Sequence, residues 1–106
     1  DYDFRGMAWE KKGDLIMAIE DFSKAINLAP RVASYYQQRG TAWSRMGDRI
    51  RAIKDLSQAI ERAPSEPSYY TIRGYYLRQQ GHMAKACEDF REACVLGVCD
   101  EMKYCH

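Results

Sequence analysis

Residues 36–64, YQQRGTAWSRMGDRIRAIKDLSQAIERAP, contain two amphipathic faces and two chain-reversal signals. Tyr36, Arg39, Gly40 and Trp43 stand at i, i+3, i+4 and i+7, the spacing of one helical face. Gly47 then stops that helix, because glycine enters the left-handed conformation at no steric cost, and Asp48 is placed to cap the next one. Ala52, Ile53, Leu56, Ala59 and Ile60 form the apolar stripe of the second helix. Ala63-Pro64 closes the unit, since proline disfavours the α conformation in the residue before it.

The same reading extends in both directions with a period of 34 residues. Tyr2, Tyr36, Tyr70 and Tyr104 keep that interval, as do Arg5, Arg39, Arg73 and the glycines Gly6, Gly40, Gly74. Gly13, Gly47 and Gly81 form a second glycine series. Alanine pairs Ala18/Ala25, Ala52/Ala59 and Ala86/Ala93 flank Phe22, Leu56 and Phe90. Residues 1–32 share 16 of 32 positions with 35–66, and 35–66 share 8 of 32 with 69–100, so the third unit is diverged but in register. The small residues predict close helix approach, with Gly6 meeting Ala18 inside a hairpin and Ala25 lying between hairpins. One hairpin alone cannot bury its apolar face, so stability is expected from stacked neighbours.

Composition agrees. A chain of 106 residues supports one small domain. Its 16 basic and 15 acidic residues give a net charge of +1, which argues against a nucleic-acid partner recognised through bulk positive charge. No apolar run approaches the roughly 18 residues of a membrane span, and no signal-peptide pattern opens the chain, so a soluble protein is expected. Asp1 in place of Met reads as the start of a fragment and leaves the compartment open.

With the motif Tyr-x-x-Arg-Gly-x-Ala-Trp followed by Gly-Asp, Ala-Ile, Asp-Phe and Ala-Pro, the chain resembles the tetratricopeptide repeat family over essentially its whole length. The resemblance implies an all-α, right-handed superhelical solenoid of antiparallel helix hairpins. Three repeats fall at about 1–32, 33–66 and 67–98, and the segment 99–106 is either a cap or a truncated repeat opening a fourth helix at Tyr104. It further implies a non-catalytic interaction scaffold that holds a peptide or protein in a concave groove lined by the first helix of each repeat. Arg5, Arg39 and Arg73 stand where many members carry Leu, and are read as buried stems with partly solvated heads.

The groove implied by that geometry takes Asp3, Phe4, Met7, Glu10 and Lys11 from the first repeat. The second contributes Ser34, Gln37, Gln38, Thr41, Ser44 and Arg45, and the third Ser68, Thr71, Ile72, Tyr75, Arg78 and Gln79. Arg and Tyr are frequent hot-spot residues, which singles out Arg45, Arg78 and Tyr75, and the excess of Arg in the second and third repeats suggests a partner with some acidic character. Some family members clamp the terminal carboxylate of chaperone peptides with cationic and amide side chains. The matching positions here are Asp3, Met7, Gln38, Ser68 and Ile72; none is cationic, and no such clamp is expected.

Four cysteines cluster late in the chain. Cys87 and Cys94 fall on the register of Ile19/Ile53 and Ile26/Ile60, which reads as core packing. They lie about 10 Å apart along one helix and cannot join each other. A disulfide drawn from Cys94, Cys99 and Cys105 would pin the terminal segment, and a structural zinc site is the alternative, although the spacings lack a close Cys pair. His82 replaces the capping aspartates Asp14 and Asp48, and His106 ends the chain. No nucleophile motif, phosphate loop or dinucleotide fingerprint is present, so neither enzyme activity nor a cofactor is expected. Two other functional classes remain open at this level: self-assembly through exposed terminal repeats, giving a homo-oligomer, and a redox- or metal-responsive element at the cysteines.

Overall fold

A computed structural model describes residues 1–105; His106, with the reading placed on it, lies outside the described residues. Six α-helices follow in order: α1 (Tyr2–Lys12), α2 (Leu15–Leu28), α3 (Ala33–Arg45), α4 (Arg49–Arg62), α5 (Pro67–Gln79) and α6 (Met83–Val95). A short 3₁₀ helix, Asp100–Tyr104, comes last, and no strand occurs among the described residues. Each odd helix pairs with the even helix after it, and each even helix packs against the next odd one. The result is an all-α repeat solenoid, elongated to 42 × 25 × 18 Å.

Helix ends follow the local chemistry. Asp14 and Asp48 cap α2 and α4 by accepting hydrogen bonds from the Met17 and Arg51 amides, both 3.1 Å. Gly13 sits at φ 85° and Gly47 at φ 89°, the left-handed turn from which the next helix starts. His82, by contrast, makes no side-chain capping bond at the start of α6.

Packing refines one expectation. The atoms nearest Gly6 are those of the Phe22 ring, from which an added Cβ would lie 2.7 Å. At Gly40 the added carbon would also come within 3.2 Å of the carbonyl of Ala52, the counterpart of Ala18, which cannot move aside. Ala18 also joins Phe22 in receiving Ala42 from the following repeat. One repeat on, Ala52 and Leu56 receive Tyr76. Each even helix therefore offers an alanine and a large apolar residue as a socket for the next odd helix. The last socket, Ala86 and Phe90, is filled by Met102, Tyr104 and Cys105. Tyr104 thus keeps the 34-residue register, but in a 3₁₀ segment rather than in the opening of a fourth α-helix.

Candidate functional site

A ladder of ion pairs sets the spacing of the repeats. The Arg39 guanidinium donates to both oxygens of Asp55 at 2.9 and 2.8 Å, and to the Ser23 hydroxyl of the preceding repeat at 3.1 Å. Arg73 repeats this with Asp89 at 2.8 and 2.7 Å and with Ser57 at 3.1 Å. Arg5 holds Asp21 by two 2.8 Å bonds and itself stays 55% exposed, against 24% for Arg39 and Arg73. Two-pronged pairing fixes orientation as well as distance, and the added serine contact ties α3 and α5 each to two even helices at once. The arginines are more than solvated heads: the recurrence of Asp21, Asp55 and Asp89 at the same period as the arginines was the available sign.

The hydrogen bond from Arg5, opposed by burial and aided by the charges of Arg5 and Lys24, holds the Asp21 carboxyl below its ordinary range. On unfolding the carboxyl regains an affinity for protons near pH 4, so this pair stabilises the fold above that pH and the contribution disappears as pH falls through the lower folded value. Asp21→Asn is expected to flatten the acid limb of stability below about pH 4 in urea melts. An acid limb as steep as in the parent chain would contradict the assignment.

The ladder leaves the other side of α1, α3 and α5 as a wall. The groove positions expected from the sequence lie on these helices: Asp3, Phe4, Met7, Glu10 and Lys11 on α1, Ser34, Gln37, Gln38, Thr41, Ser44 and Arg45 on α3, and Ser68, Thr71, Ile72, Tyr75, Arg78 and Gln79 on α5. Two contacts join α1 directly to α3. The Gln38 amide donates to the Met7 sulfur at 3.4 Å, and Arg45 pairs with Glu10 at 3.4 Å. Gln37 donates to Thr41 at 2.8 Å, and Gln79 accepts from Arg49 at 2.8 Å. Ile72 is drawn into the packing around Ala52, Leu56 and Tyr76.

The cationic groups expected to face a partner are already engaged. Arg45 is neutralised by Glu10, and the Arg78 guanidinium stacks 3.9 Å from the centre of the Tyr104 ring. Tyr75 donates to the Glu101 carboxylate at 2.8 Å. That bond, with burial and the Glu101 charge, raises the Tyr75 phenol above its usual range. Arg45 and Arg78 thus meet a partner only in competition with these contacts, although both side chains stay exposed. Phe4, 65% exposed, and Met7 leave the α1 end of the wall apolar, and the Gln38 carbonyl oxygen is shielded without a partner.

All four cysteines are in disulfides. Cys94 joins Cys99 across five residues, and Cys105 joins Cys87 across eighteen. Cys87 is 8% exposed as its register predicts, yet it is also a bonding partner, which that register concealed. While bonded, these sulfurs supply no thiolate for zinc, and no cluster able to hold a metal occurs among the described residues.

A tetratricopeptide repeat family profile matches residues 2–32, 33–66 and 67–94. Among solved structures, the second such domain of human RPAP3, in complex with the HSP70 peptide SGPTIEEVD, is 26% identical with a TM-score of 0.85, over 91% of this chain and 80% of that one. The second domain of Spaghetti, bound to the HSP90 peptide SRMEEVD, is 26% identical with a TM-score of 0.84, over 90% and 88%. The Arabidopsis OM64 domain is 26% identical with a TM-score of 0.85, over 91% and 79%. No curated protein matches the sequence significantly.

Proposed function

Because the chain belongs to the tetratricopeptide repeat family, we propose that it is a non-catalytic scaffold that holds an extended peptide of a partner protein along the wall of α1, α3 and α5. The observation that carries this reading is the Gln38 side chain at the middle of that wall. Its amide makes only a weak contact to sulfur, and its carbonyl has no donor, so little is lost when it turns to a peptide backbone. Phe4 and Met7 beside it offer apolar anchorage. The peptide is neutral and apolar rather than acidic, since Asp3 repels a carboxylate and the nearest arginine is paired.

Self-assembly by end-to-end stacking fits less well. The residue of α6 in the register of Ser23 and Ser57 is Arg91, so a second copy docked in register would bring Arg5 against a like charge. No helix is long and apolar enough to cross a membrane among the described residues.

Selection of displayed random 12-residue peptides on the oxidised chain tests the reading. Enriched peptides should be poor in Asp and Glu and should lose about tenfold or more in affinity on Phe4→Ala or Gln38→Leu, consistent with the usual size of an interface hot spot. The peptides SRMEEVD and SGPTIEEVD should bind no better than scrambled versions. Failure to enrich any peptide, or enrichment of peptides indifferent to both substitutions, would count against the wall.

A further inference from the structure

The 3₁₀ segment Asp100–Tyr104 is five residues long, and such a turn has no stability of its own. It is held in three ways. Tyr104 packs on Phe90 with ring centres 6.3 Å apart, Glu101 accepts from Tyr75, and Cys105 is bonded to Cys87 in the middle of α6. What it covers is the α6 counterpart of the sockets that α2 and α4 present to Ala42 and Tyr76. What it offers to that face is a carboxylate and, three residues later, an aromatic ring. Tyr75 takes the carboxylate and Arg78 takes the ring.

We propose that the Cys87–Cys105 disulfide latches this segment as an internal pseudo-ligand over Tyr75, Arg78 and Phe90, and that a dithiol reductant uncovers the face for a partner segment carrying an acidic residue and an aromatic residue at i and i+3. The occupant is a partner protein rather than a second copy, because Arg91, exposed on α6 in the register of Ser23 and Ser57, repels Arg5 of a copy docked in register and attracts acid. The face adjoins the wall assigned above but its occupancy does not depend on Gln38.

The chemistry is thiol–disulfide exchange. A reductant thiolate attacks the partly exposed Cys105 sulfur, and the buried Cys87 sulfur leaves as a thiolate and is protonated. The second reductant thiol then displaces Cys105 from the mixed disulfide. Two electrons and two protons enter the chain, and the reductant leaves as its own disulfide. Cys94–Cys99 closes the turn around Gly97 before the segment begins, and its reduction alone leaves the latch in place.

The test uses a fluorescent peptide, Ser-Asp-Glu-Met-Lys-Tyr-Ser, which copies residues 99–105 with serine for cysteine. The oxidised parent chain and the oxidised Cys94→Ser/Cys99→Ser variant should not bind it. Dithiothreitol treatment of either, or Cys87→Ser/Cys105→Ser, should strengthen binding about tenfold or more, against a tethered competitor at roughly millimolar effective concentration. Replacing Glu or Tyr in the peptide, or Arg78→Ala in the chain, should remove the gain. Equal binding by latched and unlatched chains overturns the proposal, and so does loss of helical circular dichroism on reduction of Cys94→Ser/Cys99→Ser, since an unfolded chain offers no face. A chain that fails to bind selected wall peptides but binds this one on reduction refutes the wall and leaves the latch standing.

Discussion

Phe90→Ala lowers the unfolding free energy of the oxidised chain by about 3–5 kcal/mol, the range for deleting a fully buried phenylalanine. The ring is completely buried and stands in the path of Gly74, whose added Cβ would lie 2.5 Å from it. It also packs edge-on against Tyr75 at 5.8 Å and against Tyr104 at 6.3 Å. The space left behind is bordered by helix backbone at Gly74 and by a segment tied down by Cys105, so it closes only in part. Small domains are stable by only about 5–15 kcal/mol, so urea melts followed by circular dichroism resolve the change easily. Val95→Ala, at a residue 79% exposed on the same helix, should shift the midpoint hardly at all. A loss below about 1.5 kcal/mol for Phe90→Ala would show that the socket can collapse, contrary to the packing described.

The second large effect lies in the ladder. Arg39→Met leaves Asp55, whose side chain is 7% exposed, without its cation and leaves the Ser23 hydroxyl without its donor. Breaking a buried pair from one side costs about 3–5 kcal/mol; because Arg39 is one-quarter exposed, about 2–4 kcal/mol is expected. Arg39→Met/Asp55→Leu should regain most of that loss, since an apolar pair of similar volume avoids the stranded charge. If the double variant is no more stable than Arg39→Met, the pair contributes through geometry that an apolar replacement cannot supply. Arg5→Met should cost least of the three ladder arginines, because water already reaches Arg5 and no serine precedes it.

How far the site could be read in advance divides along physical lines. Gly40 and Trp43 set a face by spacing alone, and helix spacing is a local property, so the helices that carry the expected groove positions followed from the 34-residue period. Whether Arg45 and Arg78 were free to meet a partner depended on Glu10, thirty-five residues before Arg45, and on Tyr104, twenty-six after Arg78. Such pairings depend on distances across helices, which no spacing within one helix reports. The missed Arg–Asp ladder is intermediate: its register was written in the sequence, but two acidic residues on a helix look alike until one of them is seen to face inward. Glu20 and Asp21 are neighbours, and only Asp21 is buried.

The same division holds for the cysteines. Their number and terminal clustering announced a pinned end, and Cys87 looked like core because its register matches Ile19 and Ile53. Which sulfurs meet was settled by the return of the chain after Gly97 across α6, which brings the Cα atoms of Cys87 and Cys105 to 5.8 Å. By itself, then, the sequence determined the repeat length, the helices, their stops and the face each one buries, because these follow from periodicity, capping and backbone sterics within a few residues. The tertiary structure alone decided which charges are spent on one another, which sulfurs are joined and what covers the last socket, because those energies fall off over a few ångströms between groups that lie far apart along the chain.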